Sequence, residues 1–273
     1  MTTIAAVLVT HNAEPWLEAT LASIETQSRR LDRMVVIDDN STDRTTEILA
    51  LHRIAAIKAT TRATDGVTRI AANFLQGVRE CGDAELVVLG DHDDRWHPDR
   101  VAHQSALFGM SEDALMVASD GSTVDASGVA IGGTIRDAFP VTVDWARLSP
   151  ADRMRFSLRH SVATGGASMI RPGAFPDLSV PDGWLHDRWW SLVATARDGM
   201  IVDDRAVIDY RVQHAQHVGL DVAAQGHGPA GRVVALAKQA RRSLAKQRDI
   251  RTRLRPLALD DKIASAISLR NVV

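Results

Sequence analysis

The chain has 273 residues, 45% of them hydrophobic, with a formal net charge of −2. That length suits one large domain, or one domain with an appendage, and buries a core without covalent staples. The near-neutral balance exerts no global pull on nucleic acid, and the single cysteine, Cys81, excludes an internal disulfide and a cysteine-only metal site.

No apolar run approaches the roughly 20 residues of a membrane span. Met1 to Thr10 carries no basic leader and reaches His11-Asn12 too early for a signal peptide. The expected setting is therefore the reducing cytoplasm.

Residues 4–9 form an unbroken apolar run, the pattern of a strand buried on both faces, and Thr10-His11-Asn12 place polar groups at its carboxyl end. Pro15 suits a first helical turn, and Leu17, Leu21 and Ile24 then line one helix face. A second buried strand, Met34 to Ile37, ends in Asp38-Asp39-Asn40-Ser41-Thr42-Asp43; a helix follows over 44–51 with Ser41, Thr42 or Asp43 as its cap. A short strand over 54–58 and a helix over 69–79, with Ile70, Phe74 and Val78 on one face, repeat the rhythm. Such alternation predicts parallel strands joined by helical crossovers, an open α/β sheet with its site along the carboxyl edge.

The apolar run Glu85 to Gly90 predicts a further buried strand, and it ends in Asp91-His92-Asp93-Asp94. Carboxylates clustered at the end of a core strand repel one another unless a cation sits among them. In an extended segment Asp91 and Asp93 leave on the same side, and hard oxygen donors of this kind suit Mg²⁺ or Mn²⁺ carrying a diphosphate. A solvated Asp-rich turn is the plain alternative.

From residue 115 the rhythm changes. Leu115 to Ala118 and the Gly-rich stretch through Gly133 read as strands and turns, followed by Thr164-Gly165-Gly166, a helix over 187–196, and Asp209-Tyr210-Arg211-Val212-Gln213-His214. The stretch 231–255 is basic and helix-prone, with Val233, Ala237, Ala240 and Leu244 along one side. We divide the chain at residue 220: a main domain over 1–220 and a basic, mainly helical extension over 221–273.

These segments, in this order, resemble the inverting family-2 glycosyltransferases of GT-A fold, and the rhamnosyltransferase-like bacterial members among them. Val9-Thr10-His11-Asn12 resembles the first strand and nucleotide-contacting turn, Val36 to Asp43 the second, and Asp91-His92-Asp93 the D-x-D metal motif. His186-Asp187 resembles the motif carrying the catalytic base, and Tyr210 to His214 the closing motif. The resemblance covers about residues 3–219, and His11, Asn40, Arg95 and Arg188 depart from the family's usual residues. It implies a mostly parallel open sheet flanked by helices, with a helical C-terminal extension.

The resemblance also implies transfer of a sugar from a dTDP- or UDP-sugar to a hydroxyl acceptor, with inversion and with Mg²⁺ or Mn²⁺. Asp93 and His214 are its metal ligands, Thr10, His11, Asn12, Asp38, Asp39, Asp91 and Arg211 its nucleotide contacts, and Asp187 its general base. Gly165, Gly166, His186 and Trp184 border the acceptor. Plainer roles remain open for several of these: Asp38 and Asp39 as helix caps, Asp187 as an acidic N-terminal cap, His186 and Trp184 as core, the paired glycines as a turn. The implied acceptor is a glycan, a lipid-linked molecule or a small molecule, and the basic C-terminal helix suits contact with the inner face of a membrane. Two rival functions remain. A sugar-nucleotide pyrophosphorylase would carry a Gly-rich, basic phosphate loop after the first strand, where Thr10 to Pro15 has neither glycine nor lysine. A non-catalytic nucleotide-sugar or glycan-binding module would have no use for both Asp93 and Asp187.

Overall fold

The computed structural model describes residues 2–212 and 243–268. Its first half alternates β1 (Ile4–Thr10), α1 (Leu17–Glu25), β2 (Arg33–Asp38), α2 (Thr45–Leu51), β3 (Ala56–Lys58), α3 (Gly66–Glu80) and β4 (Leu86–Asp91). After the short β5 (Arg95–Trp96) and α4 (Arg100–Gly109) come the β6 (Met116–Val124) and β7 (Ala130–Thr134) hairpin and α5 (Ile135–Ala138). Then follow α6 (Pro150–Arg159), β8 (Ser168–Ile170), α7 (His186–Ala196) and β9 (Met200–Arg211). In the C-terminal segment, α8 (residues 243–249) runs into a π-type turn over Ile250–Leu254, and α9 (Asp261–Ala266) ends the described chain.

The described strands form one sheet in the order β3-β2-β1-β4-β8-β6-β9-β5, with β7 paired to β6 at the side. β1 to β4 are parallel, as the alternation predicts, and so are β6 and β9. β8 enters antiparallel between β4 and β6 and makes the sheet mixed.

All seven residues of β1 are buried, which explains its unbroken apolar run. Ala5, Val7 and Val9 pack on one face with Phe74 and Val78 of α3, while Ile4 and Ala6 pack on the other with Val101 and Phe108 of α4. Full burial of Phe74 alone is worth about 2 kcal/mol of transfer free energy. Ile250, Leu254, Ile263, Ala266 and Ile267 of the C-terminal segment are buried in the same cluster as Trp189, Trp190 and Leu192 of α7. Among the described residues no helix is long and apolar enough to cross a membrane.

Candidate active site

Register brings the carboxyl ends of the central strands together: Thr10 of β1 faces Asp38 of β2, and Val9 faces Asp91 of β4. The turns after β1 and β2 each pivot on an asparagine in left-handed backbone, Asn12 at φ 48° and Asn40 at φ 57°, a conformation asparagine tolerates better than most residues. The two turns are tied to one another. Asn12 Oδ1 accepts the Thr42 amide at 2.9 Å, and the Asn12 amide donates to Ser41 Oγ at 3.0 Å. The buried Asp38 carboxylate accepts from Thr10 Oγ1 at 3.0 Å and from Ser41 Oγ at 2.6 Å, so it is spent on shaping the turn. Asp39, beside it, forms an ion pair with Arg69 Nε of α3 at 2.9 Å, and its carbonyl contacts His11 Nδ1 at 2.7 Å. Asp43 accepts the Thr45 amide at 3.0 Å near the start of α2.

The acidic cluster forms as β4 leaves the sheet. Its chain turns at once after Asp91, so the alternation expected for an extended segment does not carry through. Asp94 lies close to Asp91 as well, both carboxylates pressing on Gly166, where an added Cβ would stand 2.8 Å from Asp91 Oδ2 and collide with Asp94. Asp93 is half-buried, and its charge acts on both. Burial, then the charges of Asp93 and Asp187, push the Asp91 carboxyl up to about 7, against the pull of Arg100 and the Gly166 amide. Burial, then Asp93 and Asp91, raises Asp94 well above the carboxylate range. Asp94 Oδ1 accepts the Arg211 amide at 3.2 Å, while Oδ2 is buried without a hydrogen-bond partner.

Beneath the cluster lies Arg100, fully buried. Its Nη2 donates to the carbonyls of Leu89 at 2.7 Å and Ser168 at 3.2 Å, and its guanidinium stacks over Trp96 at 4.1 Å. Burial draws it down to about 9 while Asp94 and Asp91 hold it up, so it is a cation at neutral pH.

Asp187 opens α7 within electrostatic reach of Asp91. Its Oδ2 accepts the Gly165 amide at 2.9 Å and its Oδ1 the Arg188 amide at 2.6 Å. Burial nevertheless raises its pKa, outweighing both amides and the Arg188 charge. Arg188 caps α6, donating to the carbonyls of His160 at 2.8 Å and Leu158 at 3.2 Å. His186 points into the core, stacked on Phe74 at 3.8 Å and edge-on to Trp190, and neither ring nitrogen finds a hydrogen bond. Burial pulls it down to about 3, so it is neutral. It packs against Gly165, where a Cβ would lie 2.7 Å from His186 Nε2.

The structure thus gathers Asp91, Asp187, Gly165 and Gly166 around one point and Thr10, His11, Asn12, Asp38 and Asp39 around another. Trp184 is buried and donates Nε1 to Asp249 Oδ2 at 3.0 Å, anchoring the C-terminal segment. The Arg211 guanidinium donates to the Asp93, Asp125 and Ala126 carbonyls at 2.9, 3.1 and 2.9 Å, holding the acidic turn to the β6–β7 hairpin. His214 and residues 231–242 of the basic stretch lie outside the described residues.

Sequence reasoning placed Asp94 only as one of the acidic cluster and gave no role to Arg69 or Arg100. Arg69 was detectable as a cation in the first turn of a strongly amphipathic helix, and Arg100 as the residue that opens a helix right after Pro98-Asp99.

No group of three His, Cys, Asp or Glu side chains among the described residues is arranged to hold a metal ion by itself. The donor set still fits a hard divalent cation, because Mg²⁺-type sites commonly use one or two carboxylates and complete the shell with substrate phosphate and water. Asp94 Oδ2, buried and unbonded, and the space kept open by Gly166 are the local features that fit.

The family model for glycosyl transferase family 2 matches residues 5–171, more than half of the chain. Among solved structures the chain is similar to S. aureus TarS 1-349 in complex with UDP, at 16% identity and a TM-score of 0.54, covering 78% of this chain and 61% of that one. It is also similar to glucosyl-3-phosphoglycerate synthase from Mycobacterium tuberculosis in complex with Mn²⁺ and UDP-glucose, at 17% identity and a TM-score of 0.52, covering 88% and 76%. At these identities the likeness is one of fold, and the chain spans less than two thirds of the TarS fragment in that match. No curated protein matches the sequence.

Proposed function

The chain belongs to glycosyl transferase family 2, and we propose that it moves a sugar from a nucleoside-diphosphate donor to an acceptor hydroxyl, with inversion and with Asp187 as the general base. The observation that carries this reading is Asp187 itself, a carboxylate held by the Gly165 amide at the mouth of a helix and facing the Asp91 cluster. An alcohol is a poor nucleophile until its proton leaves, and a base raised toward the working pH accepts that proton more readily. As the acceptor oxygen bonds to the anomeric carbon, its proton passes to Asp187 and the bond to the diphosphate breaks on the opposite face. The electron pair leaves with the diphosphate.

One or two carboxylates of the Asp91, Asp93 and Asp94 cluster would hold the Mg²⁺ or Mn²⁺ together with substrate phosphate and water, with the His214 expected from sequence outside the described residues. A bound divalent ion supplies positive charge to the departing diphosphate without proton transfer. The protein's own part is to keep Arg100 beneath those carboxylates and Gly166 bare beside them. At the other cluster, the Asp39–Arg69 pair offers an acceptor and a donor to a pyrimidine edge, while Thr10, Asn12 and Asp38 fix the turns around it. The UDP and UDP-sugars held by the TarS and synthase structures support a uridine nucleotide ahead of a thymidine one.

The test measures binding and turnover together. Wild type should bind UDP in the presence of Mn²⁺ and release UDP from a UDP-sugar. Asp187→Asn should keep UDP affinity within about twofold and lose turnover by roughly 10²–10⁴-fold, the range for a removed general base. Full turnover in Asp187→Asn would refute the base assignment. UDP affinity without turnover in the wild type, across sugars and acceptors, would favour the binding-module reading.

A further inference from the structure

The described part of the C-terminal segment carries a charge pattern that the transfer reaction does not use. Over residues 243–257, Lys246, Arg248, Arg251, Arg253 and Arg255 stand against one acid, Asp249, although the whole chain has a net charge of −2. All five cations are exposed. The acid is turned inward: Asp249 takes the Trp184 Nε1 hydrogen at 3.0 Å and pairs with Arg253 at 3.7 Å.

Arg248, Arg251 and Arg255 follow helical spacing, and with Leu244, Gln247 and Thr252 they line a groove of about 460 Å³ that no carboxylate enters. None of the three guanidiniums is ion-paired to a described carboxylate. Leu244, on the same face, is 65% exposed. A merely solvated basic helix usually interleaves its cations with acids at i,i+4 spacing. This face carries arginines, an apolar residue and no acid, the composition of a helix that lies on an anionic interface. Its position is fixed, because Ile250 and Leu254 are buried in the core cluster that contains α7.

We propose that this face is a docking surface for an anionic lipid bilayer, with Arg248, Arg251 and Arg255 over the headgroups and Leu244 at the acyl boundary. The surface stands whether or not the transfer reading does. Docked in this way, the segment joined to α7 through Asp249 and Trp184 holds the Asp187 end of the protein at a set orientation to the membrane.

The experiment is co-sedimentation of the full chain with vesicles of phosphatidylcholine alone and of phosphatidylcholine with one third phosphatidylglycerol. Wild type should bind only the anionic vesicles, and raising salt from about 0.1 M to about 1 M, which shortens the screening length from about 10 Å to about 3 Å, should release it. Replacing all three arginines by glutamine should weaken binding about a hundredfold, each basic residue near such a surface being worth about a factor of five. The triple lysine variant should still bind, since a surface potential reads charge rather than guanidinium geometry. An unchanged melting temperature in both variants would show that the fold is intact. Equal binding to neutral vesicles, binding to neither, or undiminished binding of the glutamine variant would overturn the proposal. So would loss of binding in the lysine variant, which would instead indicate bidentate recognition of a phosphate group in place of a surface that reads charge.

Discussion

Replacing Asp91 by asparagine should change stability with a pH signature fixed by the acidic cluster. In the folded protein the Asp91 carboxyl is pushed up to about 7 from an ordinary value of 3.8. The folded state therefore keeps a proton that the unfolded chain releases, and stability falls as pH rises from about 4 to about 7. A shift of that size corresponds to about 4 kcal/mol at pH 8. Asparagine cannot ionise, so relative to wild type Asp91→Asn should gain about 4 kcal/mol between pH 4 and pH 8, whatever fixed cost the amide carries at both. His186 works in the opposite sense, since its neutral imidazole, depressed to about 3, loses stability as pH falls below 6.5. It is present in both proteins and cancels from the difference. Urea denaturation of both proteins in chelator at the two pH values gives that number, and Mn²⁺ at pH 8 should raise wild type and barely affect the variant. A difference that stays the same at pH 4 and pH 8 would show that the Asp91 charge costs nothing in the folded state.

Two further substitutions probe the same cluster. Arg100→Met should destabilise the protein by about 3–5 kcal/mol at pH 8, because it strips a buried cation from beneath the ionised Asp91 carboxylate. Urea midpoints should show a smaller loss at pH 4, where Asp91 is protonated. Gly166→Ala should cost about 1–3 kcal/mol as its methyl meets the Asp91 and Asp94 carboxylates. It should also weaken Mn²⁺-dependent UDP binding, read by calorimetry, by displacing both groups.

The first half of the fold was legible because burial and period agree there: β1, β2 and β4 are apolar without interruption, and α1 and α3 carry one apolar face each. The second half was read only in part. α6 escaped notice although Ser149 caps it, Pro150 opens it and Asp152 sits in its first turn; its sparse apolar residues hid it. β5 is two residues long and exists only because β9 pairs with it. At the site, the identities of Asp91 and Asp187 were readable from strand end and helix start. That Asp94 also packs against Gly166 beside Asp91 was not, because it depends on where the chain turns. Arg211 and Trp184, expected at the ligand, also make bonds to backbone carbonyls and to Asp249 that the sequence does not announce, because each partner lies more than 60 residues away.

Why Gly165 and Gly166 belong to the site follows from one antiparallel pairing. β8 runs against β4 with Val87 opposite Ile170 and Val88 opposite Met169. Continuing that register to the end of β4 sets Asp91 against Gly166, so the turn that leads into β8 must rest on the acidic cluster. A parallel strand in the same place would have brought to Asp91 the turn that follows it, whereas antiparallel β8 brings the turn that precedes it. The inserted β8 delivers a backbone amide to Asp91 from Gly166 and another to Asp187 from Gly165. One short turn therefore separates the acidic cluster from Asp187, which in the proposed function are the diphosphate side and the base. Side chains are excluded from it on both sides, by the carboxylates at Gly166 and by the His186 ring at Gly165. His186 holds that turn from beneath as packing, which accounts for a buried imidazole with no hydrogen bond immediately before Asp187.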